Sequence, residues 1–244
     1  MTIGRLKDII RYPVKSFRGE HVTATTVMKY GLYGDRSHAL LDDKRDGKFL
    51  TITQCPRMVL YEASFKGTET VEALPWLEVR NPEGRIFAWE EDQLKKELEN
   101  AAGTSLTFKK YSPEYVPAGA IEEEHILLIT DASLAKLEET WGKEKLDAAR
   151  FRPNIIVSLE DKIPFIEDSW TGRKIKLGGE AVIKIERPCE RCMIINVDPQ
   201  TGEQEPGLLK TVVKERNNCF GMYASVVKTG EITSLDKVEF VPED

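Results

Sequence analysis

The chain is short of the residues that build disulfide scaffolds and metal cages, with four cysteines and three histidines in 244 residues. So few thiols rule out a disulfide framework, and stability must come from an apolar core, for which the length is ample. A structural zinc site usually takes two paired-ligand units. One Cys-x-x-Cys pair is present without a second, and His21, His38 and His125 have no ligand spacing. No apolar run approaches the ~18 residues of a membrane span, and the N-terminus lacks a stretch of signal-peptide length, so the expected location is cytoplasmic. There is no Gly-x-Gly-x-x-Gly for a nicotinamide or flavin and no Cys-x4-Cys-x2-Cys run for an iron–sulfur cluster. Internal repeats and low-complexity tracts are absent. Positive charge is also outweighed, 35 Lys and Arg against 41 Asp and Glu, for a net charge of −6. That balance disfavours nucleic acid or an anionic membrane as partner. An anionic ligand would have to meet a local cluster of cations.

What the chain does have is many short strand patterns broken by turns. Residues 3–12, 22–28, 38–42, 58–65, 77–80 and 85–89 read as strands, with Asn81-Pro82-Glu83-Gly84 as a turn. Residues 90–102 have helical composition and end at Gly103, a plausible C-cap. Residues 111–119, with two prolines and a glycine, form the best junction between domains, expected at 1–115 and 116–244. Beyond it, 126–130 reads as a strand, and Asp131 as the N-cap of a helix carrying Leu134, Leu137 and Trp141. Residues 154–158, 174–177, 181–185, 222–227 and 237–241 read as further strands. The fold class expected is mainly β with a few helices, in barrels or sandwiches.

The most informative segment is Cys189-Glu190-Arg191-Cys192, followed by residues 193–197, which read as extended, and a turn rich in Asp, Pro and Gly. A thiol beside a fixed cation is biased towards thiolate, which attacks electrophiles and binds soft metals. A thioredoxin-type dithiol would need a strand-to-helix turn here, and the extended reading argues against it. Two ordinary cysteines near a strand end is the plain alternative. Cys55 and Cys219 stand alone and read as small buried hydrophobes.

Six blocks in register resemble the MOSC family, the domain shared by molybdenum cofactor sulfurases and amidoxime-reducing components. Cys189-Glu190-Arg191-Cys192 with Val197-Asp198-Pro199-Gln200-Thr201-Gly202 matches its central block, Phe151-Arg152-Pro153-Asn154 an upstream one, and Phe220-Gly221-Met222-Tyr223 a downstream one. In the first half, Tyr12-Pro13-Val14-Lys15-Ser16, Gly34-Asp35-Arg36 and Thr53-Gln54-Cys55-Pro56-Arg57-Met58 resemble the family's N-terminal β-barrel domain. The resemblance implies two β-barrel-like domains, the MOSC N-terminal barrel followed by the MOSC barrel.

It further implies a molybdenum–pterin cofactor with Cys192 as metal ligand and catalytic residue. Lys15, Ser16, Arg36, Arg152, Asn154, Glu190 and Arg191 would be cofactor-binding, the arginines suiting phosphate through their planar fork. Arg191 would also stabilise the Cys192 thiolate. The activity implied is oxygen removal from small N-hydroxylated or N-oxygenated substrates, with electrons from a separate electron-donor protein. The alternative is a cofactor-binding or sulfur-carrier domain, bearing a persulfide on cysteine and working with a pyridoxal-phosphate desulfurase. Glu190 departs from relatives that have a small hydroxyl residue there, and the acidic run Glu122-Glu123-Glu124 is a second departure. His125 reads as structural, and Asp198 as the residue that shapes its turn.

Overall fold

The computed structural model describes residues 1–121, 123–143 and 145–242. Seven strands close into a barrel: Thr2–Arg11, Ile126–Thr130, Ile155–Leu159, Lys174–Leu177, Ala181–Glu190, Cys219–Lys228 and Lys237–Phe240. Around its wall, Ile155–Leu159 lies beside Ile126–Thr130, then Cys219–Lys228, Ala181–Glu190, Lys174–Leu177 and Lys237–Phe240. Thr2–Arg11 closes the ring, pairing with Lys237–Phe240 on one side and Ile155–Leu159 on the other. Every barrel pair is antiparallel except Ile126–Thr130 with Ile155–Leu159, which is parallel. A parallel pair needs a crossover, and the helix Asp131–Trp141 lies within that connection.

Alternation of side chains along the strands fills the barrel. In Ala181–Glu190, Ala181, Ile183 and Ile185 are wholly buried, as are Leu6, Leu128, Val157, Ile175 and Val238 from its neighbours. A second apolar core lies in the first half. Val14, Leu40, Leu50, Met58, Tyr61, Leu77, Val79 and Leu94 pack there, between the sheets His38–Asp42 with Leu106–Lys110 and Glu62–Lys66 with Trp76–Arg80. The architecture is thus mainly β with a few helices. The strand pairing does not follow the chain midpoint, because Thr2–Arg11 belongs to the barrel and Gly230–Thr233 pairs back on Ala24–Met28.

Several local expectations need correction. Residues 193–197 are not extended, since Met193–Asn196 forms a 3-10 turn. Residues 58–65 begin with another, Pro56–Leu60, before the strand Glu62–Lys66. The helix cap falls one residue early, where Thr130 Oγ1 accepts from the Ser133 N–H at 3.2 Å. Asp131 instead accepts from Ser158 Oγ and the Leu159 N–H at 2.9 and 3.2 Å. The helix Gly207–Arg216 was not legible, because Pro206-Gly207 mark a turn and Thr211-Val212-Val213 favour strands. Cys55 is buried as expected, but Cys219 is only half-buried.

Gly221 shows why one matched block needs glycine. Its φ is +81°, and a Cβ there would lie 2.8 Å from Ile129 Cγ2 and 2.9 Å from the Leu128 carbonyl oxygen. Both strain and overlap oppose any side chain, so Gly221→Ala is expected to lose ~2–4 kcal/mol in urea unfolding.

His38 is buried between Trp89 and Phe65, with ring centroids at 5.2 and 5.9 Å. Burial, reinforced by Lys110, pushes its imidazole down to about 3. The folded chain keeps it neutral while the unfolded chain protonates it below ~6.5. Stability therefore falls as pH drops from ~6.5 towards 3, by at most ~1.4 kcal/mol per unit. His38→Gln should flatten that part of the profile of urea midpoint against pH.

Candidate functional site

One cleft gathers most of the chemistry. Arg36, Arg152, Asn154, Glu190, Arg191 and Cys192 line it, with Glu124, Leu127, Phe151, Ile194 and Tyr223. Six of the residues singled out in the sequence thus come together. Lys15 and Ser16 do not line it. Lys15 is buried, donating to the Ala120 carbonyl at 3.0 Å with its ammonium 5.6 Å from the Phe49 ring centroid. Ser16 Oγ accepts from the Ile52 N–H at 3.3 Å.

The arginines are held by strained backbone. Arg36 and Arg152 have φ of 49° and 56°, and Ser16 has 73°, values that cost a non-glycine residue ~1–3 kcal/mol and gather at functional sites. Their guanidinium carbons stand 4.6 and 4.1 Å from the Tyr12 ring centroid. Tyr12 itself is buried and donates its hydroxyl to the Pro153 carbonyl at 3.1 Å. Burial raises its phenol above the ordinary range, with the positive charges of Arg152 and Arg36 opposing the rise. Beneath them the wholly buried Asp35 pairs with Arg36 and accepts from the Tyr12 N–H at 2.7 Å. Tyr12 and Asp35 were not singled out from sequence, although both stand in matched blocks.

Asn154 was expected to be cofactor-binding. Instead its Oδ1 accepts from the Leu127 N–H at 3.1 Å and Arg36 Nη1 at 3.3 Å, while Nδ2 donates to the Ile10 carbonyl at 3.2 Å. Those three bonds tie barrel strands to the arginine, so the amide is chiefly a brace.

The Cys-Glu-Arg-Cys run alternates in burial. Cys189 and Arg191 are 1% and 7% exposed, whereas Glu190 and Cys192 are exposed. Extended backbone directs successive side chains to opposite faces, and Cys192 keeps it with φ −116° and ψ −176°. Arg191 therefore serves Cys189, its Nη1 donating to Cys189 Sγ at 2.8 Å. The expectation that Arg191 stabilises the Cys192 thiolate is corrected by this geometry. Even at Cys189 the cation does not prevail, because burial raises the thiol above its usual value against the pull of Arg191. Arg191 Nη2 donates to the Phe151 carbonyl at 2.8 Å, and its Nε is buried with no hydrogen-bond partner among the described residues.

The flanking features have structural work. Asp198 accepts from the N–H groups of Gln200 and Thr201 at 2.8 and 3.1 Å and pairs with Arg150, shaping the turn. His125 Nδ1 accepts from the Val226 N–H at 3.1 Å. In the acidic run, Glu123 pairs with Arg187 at 2.6 Å, and Glu124 lies 4.0 Å from it. Glu122 lies outside the described residues. Among the described residues, no three His, Cys, Asp or Glu side chains converge to hold a metal ion.

Residues 103–239 match the model of the MOSC domain, and residues 3–114 that of the MOSC N-terminal beta barrel domain. The chain belongs to the MOSC family. This MOSC chain is 28% identical to mitochondrial amidoxime reducing component 2 of Macaca fascicularis, over 97% of its own length and 83% of the relative's. It is 25% identical to the molybdenum cofactor sulfurase of Drosophila mojavensis, over 91% of its length but 32% of that longer protein. In fold it is similar to the YUAD protein of Bacillus subtilis, with a TM-score of 0.55 at 13% identity, covering all of this chain and 98% of the other. One of these relatives is thus named for amidoxime reduction and the other for the molybdenum cofactor. No helix among its described residues is long and apolar enough to cross a membrane.

Proposed function

We propose that the chain binds a molybdenum–pterin cofactor in the cleft and reduces small N-hydroxylated or N-oxygenated molecules by removing oxygen. The observation that carries this is the exposed Cys192 thiol sharing one cleft with Arg36, Arg152 and Arg191 in a protein of net charge −6. The residues present fit such a group. An accessible thiol suits a soft metal, and the unpartnered, buried Arg191 Nε is a donor awaiting an acceptor. When bound, the cofactor would supply two-electron chemistry and a place for oxygen to be taken up.

The chain's own part is to hold and orient. Cys192 would ligate the metal. Arg36 and Arg152, fixed on either side by Tyr12, Asp35 and Asn154, would hold the anionic groups of the pterin, with Arg191 beside them. Phe151, Leu127, Ile194 and Tyr223 give apolar walls that restrict water around the reacting centre. Electrons would come from a separate protein in the cytoplasm.

The test is to express the chain in a host that makes molybdopterin and measure molybdenum per chain. Close to one is expected, and near zero overturns the reading. Loaded protein should then reduce benzamidoxime with an artificial electron donor. A loaded chain without turnover, bearing a persulfide on Cys192, would instead establish the sulfur-carrier alternative. Replacing Arg152 by alanine is expected to lower molybdenum content at least fivefold, because it removes one of the two cations stacked on Tyr12.

A further inference from the structure

The cleft is divided by charge. Its inner side presents Arg36, Arg152 and Arg191, while two carboxylates, Glu124 and Glu190, line the same space. Glu190 and Cys192 stand two residues apart and are both exposed, with buried Arg191 between them. Both Glu190 and Cys192 line the cleft, whereas the Arg191 guanidinium is turned to Cys189. Glu190 is thus an exposed carboxylate on the cleft that the Cys192 thiol shares.

Its charge is not cancelled by the protein. Arg191 is turned to Cys189 and the Phe151 carbonyl. Arg187 is engaged with Glu123 and lies over the Tyr223 ring, 4.9 Å from its centroid. Among the described residues, the Glu190 carboxylate makes no ion pair and accepts no hydrogen bond. Glu124 is partly offset by Arg187 at 4.0 Å. A carboxylate beside an anionic ligand costs energy unless a cation meets it. The unpartnered Nε of Arg191, 7% exposed and on the same cleft, calls for an anion at the other side. A complement therefore needs negative charge inside and positive charge at the Glu190 side.

We propose that Glu190, assisted by Glu124, is the specificity-determining residue that selects substrates carrying a cationic group over neutral ones. The reaction class is that of the reading above, on which this rests. What is added is the sign of the substrate and the residue that reads it. An exposed carboxylate on that cleft repels the anionic pterin and suits the substrate side.

Two isosteric probes isolate the charge: benzamidine, a cation at neutral pH, and benzamide, which is neutral. Calorimetry on the molybdenum-loaded chain should show benzamidine binding about five- to tenfold tighter, the scale of an exposed ion pair in a focusing cleft. Glu190→Gln should bring the ratio close to one, Glu124→Gln should reduce it less, and added salt should narrow it in the wild type. Equal affinity for both probes in the wild type, or an unchanged ratio in Glu190→Gln, overturns the proposal. Turnover separates it from the reading beneath it. A loaded chain that reduces neutral and cationic N-hydroxy compounds equally well, before and after Glu190→Gln, removes the selectivity and leaves the reductase intact. A chain that takes up no molybdenum but keeps the Glu190-dependent ratio does the reverse.

Discussion

Cys192→Ser is expected to abolish benzamidoxime reduction, by at least a hundredfold, and to bring bound molybdenum close to background while leaving the thermal midpoint within a degree of wild type. The separation of the two effects follows from exposure. Cys192 is an exposed side chain at the entry to a single 3-10 turn, with no cap bond from its sulfur, so exchanging sulfur for oxygen costs the fold almost nothing. A hydroxyl is a hard, weakly acidic ligand, and a soft metal centre held by Cys192 would lose that thiolate. Cys189→Ser should behave in the opposite way. Its sulfur is 1% exposed and receives the Arg191 donor at 2.8 Å, so the change should lower stability by ~1–2 kcal/mol and retain molybdenum. Metal analysis beside differential scanning calorimetry on both variants checks the pair. Loss of metal in Cys189→Ser with retention in Cys192→Ser would reverse the assignment of the two thiols.

Asp35→Ala is expected to be the most destabilising single change near the cleft, by ~3–5 kcal/mol, the cost of stripping one partner from a buried ion pair. Asp35 is wholly buried and Arg36 is 3% exposed, so the guanidinium cannot be rescued by water. The same carboxylate also accepts the Tyr12 N–H, and that donor would be orphaned as well. Urea unfolding should show a lowered midpoint with an unchanged slope, and molybdenum content should fall with it as Arg36 loses its anchor. A loss below ~1 kcal/mol would mean that the Tyr12–Arg36 unit does not depend on this pair.

The strands of the barrel were legible because each is a short apolar alternation or a short continuous apolar run such as Ile126–Thr130, and their ends differ from the reading by a few residues at most sites. The partner of the first strand was not legible. Nothing local in Thr2–Arg11 says that its neighbours lie at 155–159 and 237–240, since ladder bonds carry no sequence label. The 3-10 turn at Met193–Asn196 was misread because Ile194-Ile195 favours a strand in isolation. In the fold, Ile195 instead drops into the core shared by Phe151, Leu208 and Phe220. The cleft was visible in part. Arg36, Arg152, Arg191 and Cys192 stood in matched blocks, yet the division of labour within Cys189-Glu190-Arg191-Cys192 came from the two-residue period of the backbone. Lys15 and Ser16 share a block with Tyr12 but turn away to Ala120 and Ile52, which no spacing rule could foretell.

Closing the barrel with its first strand has a consequence for biosynthesis. Residues 2–11 leave the ribosome before either of their neighbours exists, and the second neighbour, Lys237–Phe240, is made long after the first, Ile155–Leu159. At the usual pace of translation the strand waits on the order of ten seconds or longer as an unpaired edge. Such an edge invites pairing with other nascent chains. Arg5, Lys7, Asp8 and Arg11 put charge along it, and charge of that kind opposes such pairing until Lys237–Phe240 arrives to enclose the strand.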